Sequence, residues 1–220
     1  WNRSLVLWMR FENDTTRGEN GTFFNDESSW SNNGTCTSCP TLNQTGKFGK
    51  GLSFDGIQNC INITSLPSLN ITNQITLATW VNIKDSGVTS HQPTIIGKSA
   101  SSYALKFYEN NANIYFYLGD IGGEGLNASI TYSAWHHVVG VYSGSEMAIY
   151  IDGSKRVNVS GTGTIPTQEI PLYIGTNVPN EYFNGTLDEV QIYSRALTSQ
   201  EINASYTATS YKYYNNFTSL

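Results

Sequence analysis

Apolar and polar residues alternate along most of this chain in short runs broken by Gly, Asn, Asp and Ser, the period-two signature of β-strands with turns between them. Residues 4–11 (SLVLWMRF) predict the first strand, and Glu12 marks where the chain turns polar. Residues 13–33 form a turn-rich excursion whose one short apolar pair is Phe23 and Phe24. Leu52 and Phe54 alternate with polar neighbours over 50–55, and residues 59–63 repeat the pattern. In 75–83, Ile75, Leu77, Thr79, Val81 and Ile83 line one face while Ala78 and Trp80 line the other, which predicts a central strand covered on both sides. Further strands are expected at 93–98, 103–109 and 113–118, and a meander at 136–142, 147–151 and 155–159 has the strong hairpin dipeptide Asp152-Gly153 as one of its turns. A short strand at 171–175 precedes the closing one, and only 198–204 reads as helix. The fold class is therefore all-β, an antiparallel two-sheet β-sandwich or jelly roll with one short C-terminal helix.

The stretch from Asn184 to Ile202, NGTLDEVQIYSRALTSQEI, organises the rest. Leu187, Val190, Ile192 and Tyr193 make a β-rich run whose alternation is broken, with the acidic pair Asp188-Glu189 inside it. Thr198 with Glu201 three residues on is a capping box, in which each side chain satisfies an otherwise unpaired backbone donor. After Tyr206 the character changes: 207–210 is a small polar break and YKYYNNFTSL reads as one strand-like piece. This sets one domain over 1–206, with 207–220 as linker or the start of a following domain; the alternative is that 211–217 folds back as an edge strand.

That closing segment resembles the last core strand and helical turn of laminin-G-like jelly-roll domains, part of the concanavalin-A-like lectin and glucanase group. LVLWMRFEN, DESSWSNNGT, GKFGKGLSFDG, ITLATWVNI, WHHVVGVYSGSEMAIYIDG and LYIGTN match in order, over about residues 5–206. The resemblance implies the jelly-roll fold and a place in a longer multidomain chain of the kind found in large archaeal or bacterial surface proteins. A fold of this type hosts many activities, so function has to come from sites.

Composition narrows the setting. Charged residues make up only 13% and the net charge is −5, which offers no basic footprint for nucleic acid and no polybasic membrane patch. No apolar run is long enough for direct membrane insertion. Asn-X-Ser/Thr sequons stand at Asn2, Asn13, Asn20, Asn33, Asn43, Asn62, Asn70, Asn127, Asn158, Asn184, Asn203 and Asn216, where about five would arise by chance. The excess predicts a glycosylated, extracellular, cell-surface protein in which sugar supplies hydration, and an archaeal origin fits the style of the sequence. The other reading is that Asn, Ser and Thr simply replace charge as solubilising surface; both place most sequon asparagines at the solvent. Cys36 and Cys39 in GTCTSCP lack the second pair a zinc site needs, and the expectation is a local Cys36–Cys39 disulfide with Cys60 buried and unpaired. The alternative is a bridge from Cys60 to one of that pair.

Candidate chemistry is sparse. Asp188 and Glu189 are adjacent, so in a strand they point to opposite faces and do not act as a glycosidase pair. His136 and His137 are expected to be one exposed and one packed, and no catalytic residues are assigned. Glu12, Asp26, Asn32 and Asp188 are hard oxygen donors of the type calcium takes. The family resemblance places them together around a structural calcium that pins the long first loop to the closing strand. A departure is Ser29, followed by bulky Trp30, where the family loop usually has glycine. For ligand contact, Tyr115 and Tyr117 share one face of 113–118, Tyr108 joins from the preceding strand, and Asn110 and Asn111 adjoin them, a set suited to stacking on sugar rings. The reading is a non-catalytic recognition or adhesion module of a secreted N-glycosylated surface protein, with a surface glycan or surface protein as partner. Its alternatives are a structural coat or spacer domain and, disfavoured by the carboxylate geometry, a carbohydrate-active enzyme.

Overall fold

Local alternation becomes sixteen strands in the computed structural model, which describes residues 3–85, 92–99, 101–109, 111–176 and 181–211. β1 (Leu5–Met9) is followed by the short β2 (Phe23–Phe24) and β3 (Gly34–Thr35), then β4 (Thr41–Thr45), β5 (Lys50–Asp55), β6 (Ile61–Ile63) and the nine-residue β7 (Ile75–Ile83). Next come β8 (Thr94–Gly97), β9 (Ala104–Tyr108), β10 (Asn113–Leu118) and β11 (Ile121–Ser129). The meander β12 (Trp135–Tyr142), β13 (Glu146–Ile151) and β14 (Ser154–Ser160) leads to β15 (Leu172–Ile174), β16 (Asn184–Tyr193) and the helix α1 (Ser199–Tyr211). One sheet runs β14-β13-β12-β7-β16-β5-β4, with β1 also on β16; the other runs β11-β10-β9-β8-β15-β6-β3-β2.

The two inner faces share one core, to which β7 gives Ile75, Leu77, Val81 and Ile83 and β10 gives Ile114, Phe116 and Leu118. The other face of the first sheet is covered too. Ala78, Val139, Val141, Ala148 and Tyr150 pack under Ile202 of α1, so β7 is buried on both sides as its sequence predicts. The capping box forms as expected: Thr198 N–H donates to Glu201 Oε2 (2.8 Å) and Glu201 N–H to Thr198 Oγ1 (3.2 Å).

Several elements differ from the sequence reading: β3 and the edge strand β4 are not among the expected strands, and β11 and α1 depart from it as well. β11 is rich in glycine and is not among the expected strands either, yet its backbone pairs along β10 from Ser129 to Ile121. Gly125 is required there: its φ is +92°, and a Cβ would stand 2.6 Å from the Tyr117 ring. The helix, expected to end near 204, continues to Tyr211, through residues assigned to a linker. Propensity is poor in 205–211, but the Tyr206 ring stacks on Trp80 at 5.6 Å, and this tertiary contact holds the extra turns down. Residues 212–220, and with them most of the 211–217 edge strand of the alternative reading, lie outside the described residues. Among the described residues no helix is long and apolar enough to cross a membrane.

Candidate functional site

β16 pairs with two strands in succession. Its first half, Asn184 to Leu187, lies against β5, and its second half, Val190 to Tyr193, against β1, while β7 follows on the other side. The change of partner coincides with a β-bulge between Asp188 and Gln191, where Glu189 takes φ +50°. The broken alternation in the sequence is this bulge. It sends Asp188 to the β4–β5 loop, where Oδ2 accepts the Phe48 N–H at 2.8 Å. Glu189 instead accepts from Trp8 Nε1 (2.6 Å) and Arg10 Nε (3.4 Å). Arg10 also reaches Glu12 at 3.6 Å, and Glu12 Oε2 accepts the Lys50 N–H at 3.2 Å. Both acids of the pair are thus occupied with holding β1, β16 and the β4–β5 loop together.

Asp188 is fully buried, and its Oδ1 receives no hydrogen bond among the described residues. Burial, reinforced by the nearby Glu189 and Glu12 carboxylates, pushes its carboxyl up to about 8. Across the sheet Asp188 is in register with Trp80 and Trp80 with His137. Lys47 Nζ stands 4.4 Å from the Trp80 ring centroid, the Phe48 ring meets Trp80 edge-on, and Tyr206 stacks from the helix. His137 is packed in this row, as expected of one of the two histidines, and burial lowers it to about 4.

The four residues expected to share calcium have different duties. Both oxygens of Asp26 are engaged: Oδ1 accepts from Trp8 N (2.8 Å) and Ser28 N (2.9 Å), and Oδ2 from Ser28 Oγ (2.6 Å) and Asn32 N (2.8 Å). Asn32 donates to Val6 O at 2.6 Å and accepts from Ser68 Oγ at 2.9 Å. These bonds, with the Glu27 N–H donating to Trp8 O at 2.8 Å, fasten the polar loop to β1. Among the described residues no three Asp, Glu, His or Cys side chains are grouped as a metal cage. The part of the set that fits a cation is Asp188, with its orphaned buried oxygen, together with Glu12.

On the second sheet, β10 turns Ile114, Phe116 and Leu118 inward and leaves Tyr115 and Tyr117 half-exposed on the outer face. Tyr108 of β9 stacks on Tyr115 with centroids 4.0 Å apart, and Tyr115 and Tyr117 are parallel at 5.9 Å. The hydroxyls of Tyr108 and Tyr117 meet at 2.6 Å, and Asn111 Nδ2 donates to Tyr115 Oη at 3.3 Å. The expected set therefore comes together as a ladder that presents ring edges and hydroxyls, braced from β11 by Gly125. Asn110 lies outside the described residues. Sequence reasoning missed the rest of the row: Thr94, Lys106, Tyr115 and Asn127 are lateral neighbours across four strands. Thr94 Oγ1 is buried without a partner among the described residues, and Lys106 pairs with Glu181 at 3.5 Å. A polar residue in a buried-looking run, such as Lys106 in ALKFY, was the available signal.

Cys36 and Cys39 form the expected disulfide, and Cys60 is unpaired but half-buried rather than buried, since it precedes β6 and lies outside the strand. Asn20, Asn127, Asn158 and Asn203 are exposed, and Asn13, Asn33, Asn62, Asn70 and Asn184 are partly so. Asn2 and Asn216 and the Asn43 side chain fall outside what is described.

Comparison with known proteins gives a consistent fold. A laminin-G family model, described as the concanavalin A-like lectin/glucanases superfamily, matches residues 55–203. No curated protein matches by sequence. Among solved structures, the binding domain of Paraclostridial Mosquitocidal Protein 1 aligns with TM-score 0.75 at 16% identity, over 93% of this chain and 52% of that one. The binding domain of Botulinum neurotoxin DC in complex with rat synaptotagmin II aligns with TM-score 0.73 at 16% identity, over 95% and 52%; a structure of the same domain carries SialylT. The chain spans about half the length of these toxin domains. Domain 4 of AbnA, an extracellular arabinanase from Geobacillus stearothermophilus, in complex with arabinotriose, aligns with TM-score 0.66 at 21% identity, over 91% and 97%. These likenesses are of fold.

Proposed function

The chain belongs to the concanavalin A-like lectin/glucanases superfamily, in its laminin-G branch, and from that premise we propose that it is a non-catalytic recognition module of an extracellular, N-glycosylated surface protein, binding glycan on the outer face of its second sheet. The observation that carries this reading is the ladder of Tyr108, Tyr115 and Tyr117 beside Asn111 and Lys106. Its rings are ordered before any ligand arrives, by stacking, by the shared hydroxyl bond and by Gly125, so little side-chain entropy remains to be lost on binding. Tyrosine edges give apolar area and their hydroxyls give donors and acceptors, the two things a sugar ring needs. Fold relatives solved with arabinotriose and with SialylT support glycan as the ligand class, and the one solved with synaptotagmin II keeps protein as the other. Catalysis is not part of the proposal, because Asp188 and Glu189 are both tied up in structural contacts.

Calcium enters the proposal at Glu12 and Asp188 only. There it would balance a buried carboxylate, and its contribution would be to stability, by binding the folded chain.

The test is a broad glycan array probed with the natively glycosylated chain, in calcium and in chelator, beside the Tyr115→Ala variant. Binding to a defined sugar class that the variant loses by about tenfold or more supports the reading. Binding that survives in the variant places the ligand elsewhere. The second reading, a structural coat domain, is favoured by the sequon asparagines, of which none described is buried, and by Asn127, which is exposed and directly opposite Tyr115. A sugar on Asn127 together with no glycan binding by the intact fold would favour the coat.

A further inference from the structure

The edges of the two sheets, β11 of one and β14 of the other, come together at one end of the sandwich and leave an open cleft of about 470 Å³ between the end of β11, the start of β12 and the β13–β14 hairpin. That volume is within the range of small-ligand sites. Its apolar part is the half-buried Val157 set over the edges of the buried Ile130 and Ile151, and its polar part comes from Asn127, Thr131, His136, Asp152 and Arg156.

The polar groups are ordered by their bonds. Asp152 Oδ1 accepts the His137 N–H at 2.9 Å and Oδ2 lies 2.8 Å from His136 Nδ1, so both carboxylate oxygens are taken. A proton on Nδ1, the arrangement this carboxylate favours, leaves His136 Nε2 to accept from the Thr131 hydroxyl at 2.8 Å. The oxygen of Thr131 keeps lone pairs free to accept from a ligand. Arg156 has no ion pair or hydrogen bond among the described residues, whereas its neighbour Lys155 is paired with Glu146 at 2.8 Å. The cleft therefore holds an unneutralised guanidinium at its side, an apolar patch, and a short fixed row of hydroxyl-binding groups.

We propose that this cleft is a second ligand site, separate from the tyrosine ladder, that takes a carboxylate-bearing sugar such as a hexuronate. The guanidinium matches a carboxylate in a two-bond fork, the apolar patch takes the C–H face of a pyranose ring, and the Thr131 hydroxyl meets one of its hydroxyls. A neutral hexose keeps the last two contacts and loses the first.

The experiment is an NMR titration of the isotope-labelled chain with methyl β-D-glucuronide and, separately, with methyl β-D-glucoside. The expected result is glucuronide-induced shifts at 127–131, His136 and Arg156, with the glucoside at least about tenfold weaker. Arg156→Gln, on an exposed edge-strand position, should remove that preference while leaving the melting temperature unchanged. Tyr115→Ala should leave the shifts in place, which separates this site from the proposed glycan face. Equal response to the two sugars, shifts confined to Tyr108–Tyr117, or no shifts at millimolar glucuronide would each overturn the proposal.

Discussion

Asp188→Asn is the most discriminating single change in this chain. The parent carboxyl is pushed from 3.8 up to about 8, chiefly by burial. A group whose folded pKa lies above its unfolded value lends stability at low pH and loses it as the pH rises towards the folded pKa, at about 1.4 kcal/mol per pH unit. His137 works in the opposite direction: burial lowers it from 6.5 to about 4, so its contribution is present above 6.5 and is lost as the pH falls towards 4. The two slopes oppose each other between about 4 and 6.5, and Asp188 acts without that opposition between about 6.5 and 8. Over that window the parent should lose about 2 kcal/mol. The asparagine keeps an oxygen for the Phe48 N–H and cannot ionise, so its stability should be flat across the same window. Slope is the proper comparison, because the carboxamide adds a buried N–H group that lowers the baseline. Urea unfolding in chelator at about pH 6.5 and 8.0, analysed for midpoint and m-value, measures it. Parallel slopes in parent and variant would refute the assignment of a high pKa to Asp188.

Three further outcomes are expected. If a cation binds at Glu12 and Asp188, chelator lowers the melting temperature of the parent and Asp188→Ala abolishes that sensitivity; a parent melt indifferent to chelator removes calcium from the account. Glycopeptide mass spectrometry should find Asn70 the least occupied of the described sequons, because its Nδ2 donates to Glu169 (2.8 Å) and its Oδ1 accepts from the buried Lys98 ammonium (2.6 Å), and a sugar there would disturb both; full occupancy at Asn70 with gaps at exposed Asn20 or Asn158 would contradict it. Ile202→Ala should cost about 2 to 4 kcal/mol by chemical denaturation, since Ile202 is fully buried against β12 and β13, and a loss under about 1 kcal/mol would mean that α1 is not part of the cooperative fold.

What the sequence made legible follows from how far apart the interacting groups are. β5, β7 and β10 match the sequence reading to the residue because their alternation is read from one strand's own side chains, and the capping box because its two residues are three apart. β11 was hidden because glycine erases alternation, and its reason for being glycine, the ring of Tyr117, sits on another strand. The last turns of α1 were hidden for the same cause, since Trp80 and His137, on which Tyr206 stacks, belong to β7 and β12. Asp26 and Asn32 read equally well as metal ligands or loop fasteners, because residue type does not say whether an oxygen meets a cation or an N–H. In this structure Asp26 meets the Trp8 N–H and Asn32 the Val6 carbonyl, partners on β1 that the local sequence does not name.

One local irregularity carried long-range information. The interrupted pattern around Asp188 and Glu189 marks the bulge that lets one strand serve β5 and then β1, and it explains why acids sit inside a strand at all. A bulge opens the ladder, and charged side chains with the Phe48, Trp8 and Lys50 N–H groups close it again. In a chain so poor in charge, acids committed to that seam are not available for chemistry elsewhere. The groups left for the proposed ligand contacts are accordingly tyrosines on one face of the second sheet and an arginine at the other sheet's edge.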